Sequence, residues 1–216
     1  MVQFPIPILL MAAVAYGDSD DMRISCNSAV KLQHSASGYF LSSTSINWGS
    51  GSGQQAVTTQ SSRSEKDSLF LIKPPFGPHS ESESCALATA VKCGQVIRLE
   101  HLNTAKNVHT HNFRSPLTGN QEVSAFGEQG EGDTGDNWVV ICTTKSGFWE
   151  REEQVEFRST ETGKYLASST QAKFTQNNCP NCPILGHYEV SAVKGSGGKN
   201  GVTAFKADIG LFIIPN

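Results

Sequence analysis

A chain of 216 residues with 38% hydrophobic residues, 20 glycines and 11 phenylalanines has the material for one packed domain with many tight turns. Only 17% of residues are charged and the formal net charge is −3, which argues against nucleic acid or an anionic membrane surface as the main partner.

In chain order, residues 4–14 form an apolar run of signal-peptide length, followed by the small residues Ala13, Ala15 and Gly17 and then by Asp18, Asp20 and Asp21. The pattern predicts a signal peptide over residues 1–17. The run is shorter than a membrane span and no other stretch approaches one, so the remainder is expected to be free of membrane in an oxidising lumen or outside the cell.

Residues 30–34 (VKLQH), 97–101 (IRLEH) and 155–159 (VEFRS) alternate apolar and polar with period two, the pattern of a half-buried strand. Nine residues after Leu32, Leu99 and Phe157 come Leu41, Val108 and Leu166, the same spacing three times. Downstream, residues 54–58 (QQAVT), 120–124 (NQEVS) and, more weakly, 187–191 (HYEVS) repeat a second strand, and each unit ends on an apolar run at 69–72, 138–141 and 211–214. These units, at about 24–73, 91–143 and 150–216, are too long for solenoid repeats and too few for a propeller. Three units of about four strands predict an all-β fold over 24–216, a closed barrel capped by hairpins, the β-trefoil.

Between the strands lie segments with possible chemistry. The glycine-serine run 49–53 lacks the lysine and helix of a phosphate cradle and reads as a hairpin loop. His109 and His111 share one strand face and, with His101, supply imidazoles, but the spacing places no further ligand, so no metal is expected. The acidic run 128–136 (EQGEGDTGD) lacks the spacing of a calcium loop and reads as a solvated surface loop. Cys179 and Cys182 have redox-motif spacing without the strand and helix that motif needs; an insertion loop, stapled or free, is the reading. No serine, cysteine or histidine sits in a nucleophile elbow, so no catalytic residue is assigned and no enzyme is expected.

Residues 93–99 (CGQVIRL), 107–111 (NVHTH) and above all 115–133 (SPLTGNQEVSAFGEQGEGD) resemble the stromal cell-derived factor 2 family, proteins of a single MIR domain. Residues 48–58 (WGSGSGQQAVT) are similar to that family's first-unit signature. The resemblance covers about 24–216 and implies a β-trefoil of three MIR repeats. It also implies an endoplasmic-reticulum lumenal chaperone accessory that binds misfolded clients with a lumenal DnaJ-type co-chaperone and Hsp70 and touches O-mannosylation quality control. Two features depart from the pattern: the first-unit turn at 37–43 (SGYFLSS) lacks the family's histidines, and the 179–182 cysteine pair is an addition.

Cys26 and Cys93 are repeat-equivalent, lying six residues before Leu32 and Leu99, while Cys85 and Cys142 follow the first two closing strands. First and last strands of a trefoil unit are neighbours, which predicts the pairs Cys26–Cys85 and Cys93–Cys142, with Cys85–Cys93 as the alternative. The expected binding surface comprises Trp48, Gln54, Gln55, His109, His111, Arg114, Asn120 and Gln121, since polar groups concentrated on loops more often serve binding than packing. It would work without metal, nucleotide or other cofactor. The alternative function is a lectin-like module that recognises glycans, with Trp48, Trp138 or Trp149 as stacking platforms.

Overall fold

The computed structural model describes residues 22–78, 85–142, 144–198 and 201–213. The expected signal peptide and the serine-rich stretch at 80–84 lie outside these residues. Twelve strands are described: β1 (Ala29–His34), β2 (Phe40–Asn47), β3 (Gln55–Gln60), β4 (Phe70–Lys73), β5 (Val96–His101), β6 (Lys106–Arg114), β7 (Gln121–Phe126), β8 (Trp138–Cys142), β9 (Gln154–Ser159), β10 (Tyr165–Lys173), β11 (Tyr188–Val193) and β12 (Phe205–Leu211). One helical turn, α1 (Glu65–Ser68), separates β3 from β4. No described helix is long and apolar enough to cross a membrane.

Six strands close a ring through antiparallel pairs β1–β4, β4–β5, β5–β8, β8–β9, β9–β12 and β12–β1. The other six form hairpins β2–β3, β6–β7 and β10–β11. Their second strands pair with one another as β3–β7, β7–β11 and β11–β3, which draws the hairpins into a cap with threefold symmetry. The molecule is a β-trefoil, and closure leaves the barrel without an open edge.

The repeat explains the core. Val30 and Leu32, Ile97 and Leu99, and Val155 and Phe157 point inward from three equivalent barrel strands, and Leu41, Val108 and Leu166 from three hairpins, all fully buried. Each side chain of this size contributes about 1.5–3 kcal/mol on leaving water.

The third closing strand differs from expectation. It is Phe205–Leu211, not 211–214, and it pairs with β1 while burying Phe205 and Ala207 on alternate positions. The apolar run at 211–214 misled because Leu211 already projects outward, 67% exposed.

Disulfides join Cys26 to Cys85 and Cys93 to Cys142, each with Cα atoms 5.2 Å apart, as the neighbouring of first and last strands requires. Cys179 and Cys182 are also bonded and staple the β10–β11 connection.

The ends of β1 and β5 carry equivalent histidines. His34 Nε2 donates to the Val202 carbonyl (3.1 Å) while its Nδ1 accepts from Ser37 (2.8 Å). His101 does the same with the Lys66 carbonyl (3.1 Å) and Thr104 (2.8 Å). Each ring lies against a barrel phenylalanine, Phe205 or Phe70. Burial lowers both pKa values below the usual histidine value, and burial lowers that of His187 as well. A cation-forming group with a depressed folded pKa binds its proton first in the unfolded chain. Stability is therefore expected to hold above about pH 6.5 and to fall as pH drops from there toward the folded values, by up to about 1.4 kcal/mol per pH unit for each of His34 and His101. Urea midpoints measured from pH 7.5 to 5 check this, and His101→Gln should flatten the slope.

Candidate functional site

Two polar centres lie at the junction of the second and third units. The first is built on β6. His109 is fully buried, and its Nδ1 lies 2.8 Å from Oδ1 of the equally buried Asp136. Its Nε2 faces His111 Nδ1 at 2.5 Å, and His111 Nε2 lies 3.9 Å from Glu161 Oε1 on the third unit's β9–β10 turn. Asp133 Oδ1 approaches His109 Nδ1 to 3.5 Å. The loop carrying both aspartates is set by a short 3-10 turn, Thr134–Asp136, in which Asp133 caps Gly135 N (2.8 Å) and Asp136 Oδ2 accepts from Asp133 N (2.9 Å).

This loop is less solvated than its composition implies. A Cβ at Gly135 would stand 2.5 Å from His109 Cε1, and one at Gly132 1.8 Å from Asp136 Oδ2, so the glycines are what let the backbone lie on the imidazole. Glu128 and Glu131 remain exposed, whereas Asp136 is taken inside. The carboxylates that the histidine spacing could not supply thus come from 24 and 27 residues downstream. His101 is not part of the centre, being held by Thr104 and Lys66.

The second centre is an open groove of about 470 Å³ lined by Asn112, Phe113, Arg114, Asn120, Lys164 and Lys194, with Gln121 at its wall. Arg114 and Asn120 are exposed, and Phe113 is 47% exposed. The lining carries three cations and, among the described residues, no carboxylate. Gln121 is buried, with Nε2 donating to Thr110 (2.8 Å) and Thr162 (3.3 Å). Gln55 makes the equivalent bonds to Ser43 and Thr104, both at 2.8 Å. Each glutamine ties its own hairpin to the next unit's turn, so both serve the cap.

Two buried glutamates went unsignalled by the sequence. Glu189 on β11 accepts from Leu117 N (2.6 Å), Thr118 N (3.1 Å), Thr118 Oγ1 (2.5 Å) and Ser115 Oγ (3.1 Å), clamping the second unit's hairpin loop. Glu122, its repeat equivalent, accepts from Ser52 N (3.2 Å) and Ser52 Oγ and clamps the first. The glycine-serine loop is therefore a gripped turn: a Cβ at Gly51 would stand 1.9 Å from Glu122 Oε2. The equivalent residue in the first unit is Ala56, and there the third hairpin loop is held by an apolar cluster of Trp48, Ala56, Phe174 and Ile184.

No family model matches this chain. Among curated proteins it is 38% identical to human stromal cell-derived factor 2 over 98% of its own length and 93% of that protein's. The chain belongs to the stromal cell-derived factor 2 family. Its structure superposes on the SDF2-like protein of Arabidopsis thaliana with a TM-score of 0.78 at 32% identity, covering 90% of this chain and 99% of that one. It also superposes on part of the S. cerevisiae protein O-mannosyltransferase Pmt1–Pmt2 complex bound to the sugar donor. There the TM-score is 0.73 at 22% identity, over 94% of this chain and 28% of that one, a likeness of fold. Three disulfides and membership of this family make it a secretory-pathway protein.

In this member of the family none of the three tryptophans is a surface platform. Trp138 and Trp149 are fully buried in the barrel and Trp48 is 6% exposed, its indole donating to the Val123 carbonyl (3.1 Å). The stacking role expected of them fails because trefoil packing places all three against apolar neighbours. Gln54 lies apart from both centres, accepting from Ser124 Oγ (2.5 Å) beside Lys106 and Glu131. Of the eight expected binding residues, His109 and His111 form one centre, Arg114, Asn120 and Gln121 the other, and Trp48, Gln54 and Gln55 join neither.

Proposed function

We propose that this chain is a non-catalytic accessory of protein quality control in the endoplasmic-reticulum lumen, binding misfolded clients with a lumenal DnaJ-type co-chaperone and Hsp70. Family membership supports the setting, and the groove between the second and third units carries the binding role. Arg114, Lys164 and Lys194 around the exposed face of Phe113 suit an extended segment that bears acidic and apolar residues. Binding there is non-covalent, and a resident partner holds the protein in the lumen.

A charge-reversed groove tests this reading. Replacing Arg114, Lys164 and Lys194 by glutamate is expected to weaken capture of an acidic, unfolded reporter by about tenfold or more, each solvent-accessible charge contributing about 0.5–1 kcal/mol. The melting temperature should stay within a degree or two, because these side chains lie at the surface. Unchanged capture would remove the groove from the account.

One observation favours a second reading. Phe113 stands beside Asn112 and Asn120, an exposed ring with amide hydrogen-bonding groups, which suits a sugar face. Glycan-array binding without client capture supports the lectin-like function.

A further inference from the structure

We propose that His109, His111 and Asp133 form a binding site for a divalent transition-metal ion of the zinc type, with Asp136 as the residue that orients His109. The buried Asp136 carboxylate accepts from His109 Nδ1 at 2.8 Å, so the proton resides on Nδ1 and the lone pair on Nε2. On the other side, Glu161 faces His111 Nε2 at 3.9 Å and favours the proton there, leaving a lone pair on Nδ1. Those two free nitrogens confront each other at 2.5 Å. Two lone pairs aimed at one another repel, and a cation between them removes the repulsion. The Asp136 carboxylate hydrogen-bonded behind His109 is the outer arrangement that orients histidine ligands on metals, and Glu161 stands on the corresponding side of His111.

The third ligand is Asp133, which offers a carboxylate oxygen within 4.8 Å of a ring nitrogen of each histidine. Its Oδ1 stands 3.5 Å from His109 Nδ1, so the carboxylate turns toward the facing pair to bind there. Zinc bonds nitrogen at about 2.0–2.1 Å, which sets the two facing nitrogens about 3.3 Å apart in a tetrahedral site. Binding therefore opens the histidine pair by less than an ångström. His111 has the room for it, since its side chain is 37% exposed and Glu161 stands at 3.9 Å. Asp133, with a side-chain exposure of 38%, completes the entry from solvent. Asp133, Asp136 and Glu161 all lie within 4 Å of a ring nitrogen of these two imidazoles, so a dication offsets a local excess of negative charge. Two imidazoles and one carboxylate suit zinc, nickel or copper far better than calcium or magnesium, which prefer all-oxygen shells. Three protein ligands leave a fourth position for water or a group from a bound partner.

Isothermal titration of the full, disulfide-bonded chain with zinc chloride tests this, after dialysis against a chelator. One zinc per chain is expected, with a rise in melting temperature on addition of metal. His111→Ala, a change at a partly exposed position, should abolish both effects while leaving the far-ultraviolet spectrum native. Asp136→Asn should weaken binding by about 10–100-fold, the usual consequence of losing such an orienting carboxylate. Replacing Cys179 and Cys182 together by serine should change nothing. Zinc binding undiminished in His111→Ala, equal affinity for calcium, or no zinc uptake by the native chain would each overturn the proposal.

Discussion

Glu189→Ala is expected to destabilise the protein by about 3–4 kcal/mol, because it removes one buried acceptor and strands several donors at once. The carboxylate takes the Leu117 and Thr118 backbone N–H groups and the Ser115 and Thr118 hydroxyls. Glu189 is 1% exposed, so water cannot replace those bonds without opening the cap. For a chain of this size the loss corresponds to a fall of roughly 10 °C in melting temperature. Glu122→Ala should cost less, since among the described residues Ser52 alone donates to its carboxylate. Introducing the charge where the repeat lacks it, by Ala56→Glu, should also destabilise, as the carboxylate would enter the apolar cluster of Trp48, Phe174 and Ile184. Denaturant melts of the three variants give the order. Equal stability of Glu189→Ala and the native chain would show that the hairpin loop is held by something else.

Loss of the first two disulfides carries an effect of similar size. Cys26–Cys85 and Cys93–Cys142 close loops with sequence separations of 59 and 49. The chain-entropy model assigns each about 4 kcal/mol through the unfolded state. The double replacement of Cys26 and Cys85 by serine should cost more than that of Cys93 and Cys142, because Cys26 is fully buried in the barrel core and the other pair is only partly buried. Cys179–Cys182 spans three residues and should contribute least. Non-reducing peptide mapping checks the pairing, and recovery of Cys85 linked to Cys93 would contradict it.

The barrel was legible in the sequence because its signal is local and threefold. Leu32, Leu99 and Phe157 with their partners nine residues on mark the same inward positions in each unit, and all are buried. The strands at 54–58, 120–124 and 187–191 proved to be the three that meet in the cap. The third closing strand was not legible, since hydrophobicity favoured residues 211–214 over the true strand, where Lys206 and Asp208 interrupt the apolar positions.

The polar centres were legible only in part, for a reason of topology. His109 and His111 announce themselves on one strand, but Asp136 reaches them through a glycine-lined loop whose path no local pattern reveals. Arg114 and Asn120 share a hairpin, whereas Lys164 and Lys194 arrive from the next unit. Glu122 and Glu189 look like outward residues of alternating strands, and their burial follows from the neighbouring hairpin folding over them. The one available hint was the substitution of Ala56 at the equivalent position, which reads as nothing until the cap is seen.

The measurement that bears most directly on the proposed role is suppression of client aggregation, followed by light scattering in the presence of the lumenal co-chaperone and Hsp70. The native chain should keep an unfolded, acidic reporter in solution and be recovered with it and the co-chaperone in one complex. The variant with glutamate at positions 114, 164 and 194 should fold normally and fail to do so. Equal suppression by both proteins, or none by either in the reconstituted complex, would contradict the account.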